Sequence, residues 1–182
     1  MKRLMIMTVL AGVILPAQAD DTLIKQARQH TKQLATQLQQ TLKKSMKADG
    51  PAAAIQVCNI QAPIIAAGLS QGDWQVGRTA LKIRNGDNVA DAWETSVMQD
   101  FSKKLQAGVD PKTLEASKTE NGRFRYMKAI PTGGVCLACH GENIAAPLAA
   151  KLDALYPHDQ ARGFKPGELR GAFTMSKKLQ EQ

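Results

Sequence analysis

Two of the three cysteines in this 182-residue chain stand in one pentapeptide, Cys136-Leu137-Ala138-Cys139-His140. The pattern Cys-x-x-Cys-His is the attachment signature of a c-type haem. It constrains the fold more than any other feature, because a chain that carries such a group must wrap around it. Two thiols three positions apart on one helical turn reach the two vinyl groups of a porphyrin, and the next residue brings an imidazole nitrogen under the iron. Gly133, Gly134 and Gly141 flank the motif and allow backbone to approach a flat cofactor. Other uses of the same residues require more. A thioredoxin-like pair opens a helix after a strand in a βαβ unit, and nothing here supplies that unit. A structural zinc needs four ligands; Cys58, Cys136, Cys139 and His158 would supply them, but without the usual second close-spaced pair. A Cys136–Cys139 disulfide closes a very small, strained loop.

The N-terminus agrees with the haem reading. Lys2 and Arg3 precede an apolar run from Leu4 to Leu15, and Ala17 and Ala19 follow in the Ala-x-Ala arrangement. That is the layout of a secretory signal peptide, residues 1–19, with cleavage expected after Ala19. The run ends at Pro16, short of the ~20 apolar residues a spanning helix needs. No later stretch is expected to cross a bilayer, so the reading is a soluble protein in the periplasm, where bacteria attach c-type haem. Lys plus Arg number 24 against 16 Asp plus Glu, a net charge of +8; loss of Lys2 and Arg3 leaves +6. That charge favours a partner with an acidic face. Export argues against nucleic acid. At 43% hydrophobic and 22% charged residues, the composition excludes collagen-like, low-complexity and disordered chains and fits one globular domain.

Periodicity sets the elements. Leu23, Ala27, Leu34, Leu38, Leu42 and Met46 recur at helical spacing, predicting an amphipathic helix within residues 20–50 that stops at Asp49-Gly50-Pro51. A second helix follows, with Ala54, Cys58, Ala62 and Ile65 on one inward stripe and a break or kink at Pro63. Trp74, Val76, Thr79 and Leu81 predict one or two short strands. Asp91 and Glu94 have capping-box spacing before a stripe of Trp93, Val97, Phe101 and Leu105, with Met98 on its flank. Leu114–Thr119 and Arg123–Ile130 predict a hairpin around Glu120-Asn121-Gly122, with Phe124, Tyr126 and Ile130 on its inner side. Leu148, Leu152 and Leu155 mark a further helix, and LRGAFTMS a last strand. Helices first and strands later read as α+β, N-terminal helices packed on a small, mostly antiparallel sheet.

The ligand on the other face of the iron is open at this level. The sulfur candidates are Met46, Met98, Met127, Met175 and Cys58, and the free imidazoles are His30 and His158. A methionine on a helical stripe is ordinarily core. Cys58 stands apart because an unpaired thiol in an oxidising compartment survives by burial or by metal binding. A thiolate would stabilise ferric iron and lower the potential.

Four blocks carry a resemblance: AIQVCNIQAP around Cys58, GRTALKIRNGDNVADAWE from Gly77, CLACHG, and YPHDQARGFKPGELRGAFT from Tyr156. Together they resemble, from about Ala52 to Lys178, an exported single-haem c-type cytochrome family formerly described only as a domain of unknown function. The resemblance implies a PAS-like sensor fold for residues 51–182 and one covalent haem c. It implies thioethers at Cys136 and Cys139, His140 as proximal ligand and Cys58 as distal ligand. Arg78 and Arg84 are candidates for pairing with the haem propionates, although arginines on a basic surface are ordinarily solvated. The chain departs from the family's pattern at Gly86 and Ala90, where prolines are frequent, and at Ala80, where serine is.

The expected role is one-electron transfer or redox sensing through a low-potential haem, acting on a separate partner. Two alternatives stand beside it. NO or CO would displace Cys58 after reduction and move its helix, or an open iron would turn over peroxide or a nitrogen oxide, which a six-coordinate iron resists.

Overall fold

Helix formation at the N-terminal end follows the apolar spacing, interrupted at Gly50 as the sequence predicts and distorted, but not broken, just ahead of Pro63. The computed structural model describes residues 16–180, with side chains from Asp20 onward. The expected signal peptide lies outside the described residues except for its last four, whose backbone opens helix α1 (Pro16–Gln56). Within α1, Gly50 takes φ 77°, a left-handed conformation suited to glycine, and Pro51 restarts the helix. Pro63 does not break the chain. A π-helical turn (Val57–Gln61) absorbs it: the Ala62 amide donates to the Val57 carbonyl five residues back, and Pro63 falls in the first turn of α2 (Ala62–Leu69), where its missing N–H costs nothing.

One expectation fails here. The helical run Asp20–Leu69 contains an 18-residue window of mean hydropathy 1.5, long and apolar enough by composition to cross a membrane. Within that run Ala54, Ile55, Val57 and Ala62 are buried in the fold, although only 22% of the apolar window is.

Four strands form one antiparallel sheet, β1 (Trp74–Thr79), β2 (Glu115–Glu120), β3 (Arg123–Pro131) and β4 (Leu169–Lys178), in the order β1-β4-β3-β2. The β2–β3 hairpin turns at Asn121 (φ 51°) and Gly122 (φ 67°), two left-handed residues that match the twist of the flanking strands. Leu81, expected to extend the first strand region, lies beyond β1 and is exposed.

The sheet is covered on both faces. Phe124 and Tyr126 of β3 join Ala27, Leu34, Trp74, Val76 and Met175 in a cluster under α1 and α2. The alternate residues Met127 and Ala129 join Met98, Phe101, Leu114 and Ala172 under α3 (Ala92–Gln106). Met98, beside the predicted stripe, is fully buried in that cluster. Burying each such side chain contributes about 1.5–3 kcal/mol. Asp91 and Glu94 make the predicted capping box at 2.9 and 3.1 Å. A third cluster, Ile55 with Leu148, Leu152 and Tyr156, joins α1 to α5 (Ala146–Leu155) and touches Cys139.

Candidate functional site

β1 and β3 run in one direction with β4 antiparallel between them, so the ends of β1 and β3 and the start of β4 meet at the same end of the sheet. The register shifts between Ile130 and Pro131, and Thr132 continues the pairing with its amide on the Glu168 carbonyl at 2.8 Å. That irregularity turns the chain out of β3 into Gly133 and Gly134 and then into the one-turn helix α4 (Leu137–His140), which carries the paired-cysteine motif. Gly171 of β4 admits the end of β1 closely: a Cβ there would lie 2.5 Å from the Thr79 carbonyl oxygen and 3.2 Å from Ala80 Cβ.

Around this end lies a cavity of about 200 Å³. The helical side contributes Met46, Ile55 and Cys58, the motif contributes Cys136, Cys139 and His140, and the sheet end contributes Arg78, Arg84 and Arg170. The structure thus brings together all six residues singled out in the sequence. All three cysteines are free thiols, so no strained Cys136–Cys139 bridge forms. Among the described residues no three His, Cys, Asp or Glu gather as a metal site, and His158 is exposed, which removes the four-ligand zinc arrangement.

His140 is held from two directions. Its Nδ1–H donates to the Ala161 carbonyl at 2.7 Å, and among the described residues Nε2 has no hydrogen-bond partner. Its own carbonyl accepts from the Phe164 amide at 2.9 Å, and the Phe164 ring packs edge-on at 6.3 Å. Burial, then the charges of Arg170 and Arg84, push the imidazole pKa down to about 3, so the ring is neutral and its Nε2 lone pair is available. Gly141 makes the tight exit possible, since a Cβ there would sit 2.6 Å from the Leu137 carbonyl oxygen. Of the three glycines flanking the motif, Gly141 alone makes a close backbone approach, and it does so to its own turn; a Cβ at Gly134 would meet nothing within 4 Å and one at Gly133 only Cys136 Sγ at 3.9 Å.

Arg84 braces the loop that supports His140. Its Nε donates to Asp159 Oδ1 at 3.0 Å, and its Nη2 reaches Asp159 Oδ2 at 3.0 Å, the Cys139 carbonyl at 2.7 Å and the Ala161 carbonyl at 3.2 Å. Burial alone would raise the Asp159 carboxyl, but hydrogen bonds from Arg84, Arg162 and the Ala161 amide hold its pKa below the ordinary range. Arg78 makes no side-chain hydrogen bond among the described residues, and burial lowers its pKa against the opposing pull of Cys58 and Tyr156. Arg170 is pushed down to about 10 by burial and by Arg84 and Arg78; its guanidinium lies 5.3 Å over the Phe164 ring. Asp159, Ala161, Phe164 and Arg170 are functional neighbours that periodicity could not reveal. All four fall within the block from Tyr156 to Thr174, whose individual roles depend on loop geometry.

The remaining ligand candidates separate cleanly. His30 stacks on Trp74 at 4.9 Å in the first cluster, and Met98, Met127 and Met175 are core. Among the described methionines Met46 alone lines the cavity.

A sequence model of the Tll0287-like family matches residues 17–177. The chain belongs to the Tll0287-like family. It is similar to the crystal structure of the cyanobacterial haem protein Tll0287, with 25% identity and a TM-score of 0.56 over 93% of this chain and 99% of that one. No curated protein matches the chain. The resemblance read from the four sequence blocks therefore holds, since the matched Tll0287 structure is that of a haem protein, and so does the α+β arrangement of helices on an antiparallel sheet.

The donor set fits an iron porphyrin. Two thiols adjoin an imidazole with a free Nε2, a third thiol comes from a separate element, and guanidiniums in the wall suit two carboxylates. At about 200 Å³ the cavity is smaller than an ordinary ligand pocket of roughly 300–1,000 Å³. Seating a macrocycle there requires more room between the helical side and the motif side.

Proposed function

We propose that this chain binds one c-type haem and acts in the periplasm as a one-electron redox protein, a carrier or a redox sensor, through iron held between His140 and Cys58. The convergence of Cys136, Cys139, His140 and Cys58 on one cavity, in a chain of the Tll0287-like family, carries this reading. When bound, the haem supplies a one-electron couple. Cys136 and Cys139 would add across its vinyl groups as thioethers. His140 presents Nε2 because the Ala161 carbonyl occupies its Nδ1 proton. Cys58 would bind as thiolate, an anionic donor that favours the ferric state.

Protein ligands on both faces leave no open position for a substrate, which favours electron exchange over turnover. Arg78, with no hydrogen bond among the described residues, is the guanidinium best placed to take a propionate; Arg84 is engaged by Asp159. The charge of +6 expected after loss of Lys2 and Arg3 suits an acidic partner, so electron-transfer rates should fall as salt rises. Cell fractionation tests the periplasmic location.

The deciding experiment produces the protein in a host able to attach c-type haem and compares ferric wild type with Cys58→Ala by mass, absorption and electron paramagnetic resonance. The expected result is one haem mass increment in both and a low-spin thiolate signature in wild type alone. Colourless protein without the increment refutes haem attachment, and a thiolate signature surviving in Cys58→Ala refutes the distal assignment.

A further inference from the structure

Methionine is ordinarily core filler, and three of the described methionines fit that rule. Met98, Met127 and Met175 are each no more than 1% exposed and belong to the two clusters that clamp the sheet. Met46 is half-buried, belongs to neither cluster and lines the cavity that Cys58 and His140 share. The other residues on this helical side of the cavity, Leu42, Ala54 and Ile55, carry no donor atom. The helical side thus offers two sulfurs, a thiol and a thioether. They stand on opposite sides of Gly50, whose left-handed φ of 77° interrupts the helix, and Cys58 itself sits on the π turn.

The two sulfurs prefer different iron charges. A thiolate is anionic and stabilises ferric iron, whereas a neutral, soft thioether favours the ferrous state and raises the potential. We propose that Met46 is a second distal ligand, binding the iron after reduction while Cys58 holds it when oxidised. The proposal rests on the His140/Cys58 haem reading and adds a ligand exchange to it. One electron from a donor protein, or from dithionite in the laboratory, reduces ferric iron to ferrous. The bond from iron to Cys58 Sγ breaks and Sγ takes a proton from solvent, while a lone pair of Met46 Sδ forms the new bond. A one-electron acceptor reverses the sequence. Because the two sulfurs belong to segments joined at Gly50, each exchange would shift one segment against the other, giving the redox state a mechanical output.

The test uses holoprotein in which the methionines are replaced by selenomethionine, so that the iron's neighbours are read by X-ray absorption at the iron edge without altering the fold. The proposal expects an iron–selenium neighbour in the dithionite-reduced protein, none in the oxidised protein, and its loss in Met46→Leu, a substitution of nearly conserved volume. Met46→Leu should leave the ferric spectrum unchanged and raise ferrous CO affinity on the order of tenfold, because a position otherwise occupied stands open. Absence of selenium in the reduced state, its presence in both states, or its survival in Met46→Leu overturns the exchange. A ferric wild-type spectrum without the thiolate signature overturns the Cys58 assignment instead, whatever the selenium shows.

Discussion

Replacing Asp159 by asparagine should be among the costliest single changes outside the sheet core. Its carboxylate is 2% exposed and its partner Arg84 7%, so the pair is fully desolvated. The two oxygens accept from Arg84 Nε at 3.0 Å, Arg162 Nε at 2.8 Å and the Ala161 amide at 2.9 Å, with Arg84 Nη2 also at 3.0 Å. Asparagine keeps the shape but removes the charge and turns an amide donor toward two guanidiniums. Arg162 is 30% exposed and retains Asp153, so it turns outward at little cost. Arg84 has no such exit, and an uncompensated buried charge costs about 3–5 kcal/mol. For a chain of this length that lowers Tm by about 10 °C. Urea unfolding of holoprotein gives the free energy. The double variant Asp159→Leu with Arg84→Met, which removes both charges, should recover most of the loss. The pH profile supplies an independent sign. A carboxyl with a depressed folded pKa contributes stability that is present above its unfolded value near 4 and is lost as pH falls through the folded one. Wild type should therefore lose stability in acid more steeply than Asp159→Asn. A loss below about 1 kcal/mol, or a double variant as damaged as the single one, refutes the account of the buried pair.

Three further outcomes follow from other parts of the fold. Glu115, held at a pKa of about 2 first by its hydrogen bond from Arg28 and further by Tyr126 and Lys128, contributes stability above pH 4.5 that is lost as pH falls toward 2. Unscreened, that depression is worth about 3 kcal/mol, but Arg28 is 56% exposed, so about 1 kcal/mol is expected from Glu115→Gln at pH 7 in thermal unfolding, declining with salt. Gly171→Ala drives a methyl to 2.5 Å from the Thr79 carbonyl oxygen and should cost about 1–3 kcal/mol, with ordinary stability in that variant counting against the close approach. Met98→Ala, at a fully buried site, should cost about 2–5 kcal/mol, and the half-buried Met46→Ala clearly less; equal losses would return Met46 to the core.

The sequence is legible here wherever a local rule acts alone. Asp91 and Glu94 cap α3, Gly50 breaks α1, and Asn121-Gly122 turns the hairpin, each through backbone chemistry within a few residues. Long-range contacts set the rest. Strand alternation names one inner side of β3, whereas Met127 and Ala129 on the other side are buried too, under α3. Pro63 reads as a break because proline removes an amide, and nothing local announces the π turn that accommodates it. The thiols and imidazole of the motif could be named from spacing, whereas the residues that orient them could not. Asp159 lies 75 positions from Arg84, and the Ala161 carbonyl 21 positions from His140.

This division has a chemical consequence at the cavity. Three guanidiniums, Arg78, Arg84 and Arg170, face the site, and one of them is neutralised by Asp159. Burial lowers the pKa of both Arg78 and Arg170, a sign that the protein gives them little stabilisation of its own. Two such cations beside a thiol suit anionic groups: in the proposed holoprotein the two propionates would match that charge, and a Cys58 thiolate would lie in their field. The guanidiniums then act against the thiolate, pulling the potential upward while the sulfur pulls it down. Exchange of Cys58 for Met46 would remove the opposing charge and let the guanidiniums favour the ferrous state, so the electrostatics of the wall and the proposed ligand exchange act in the same direction.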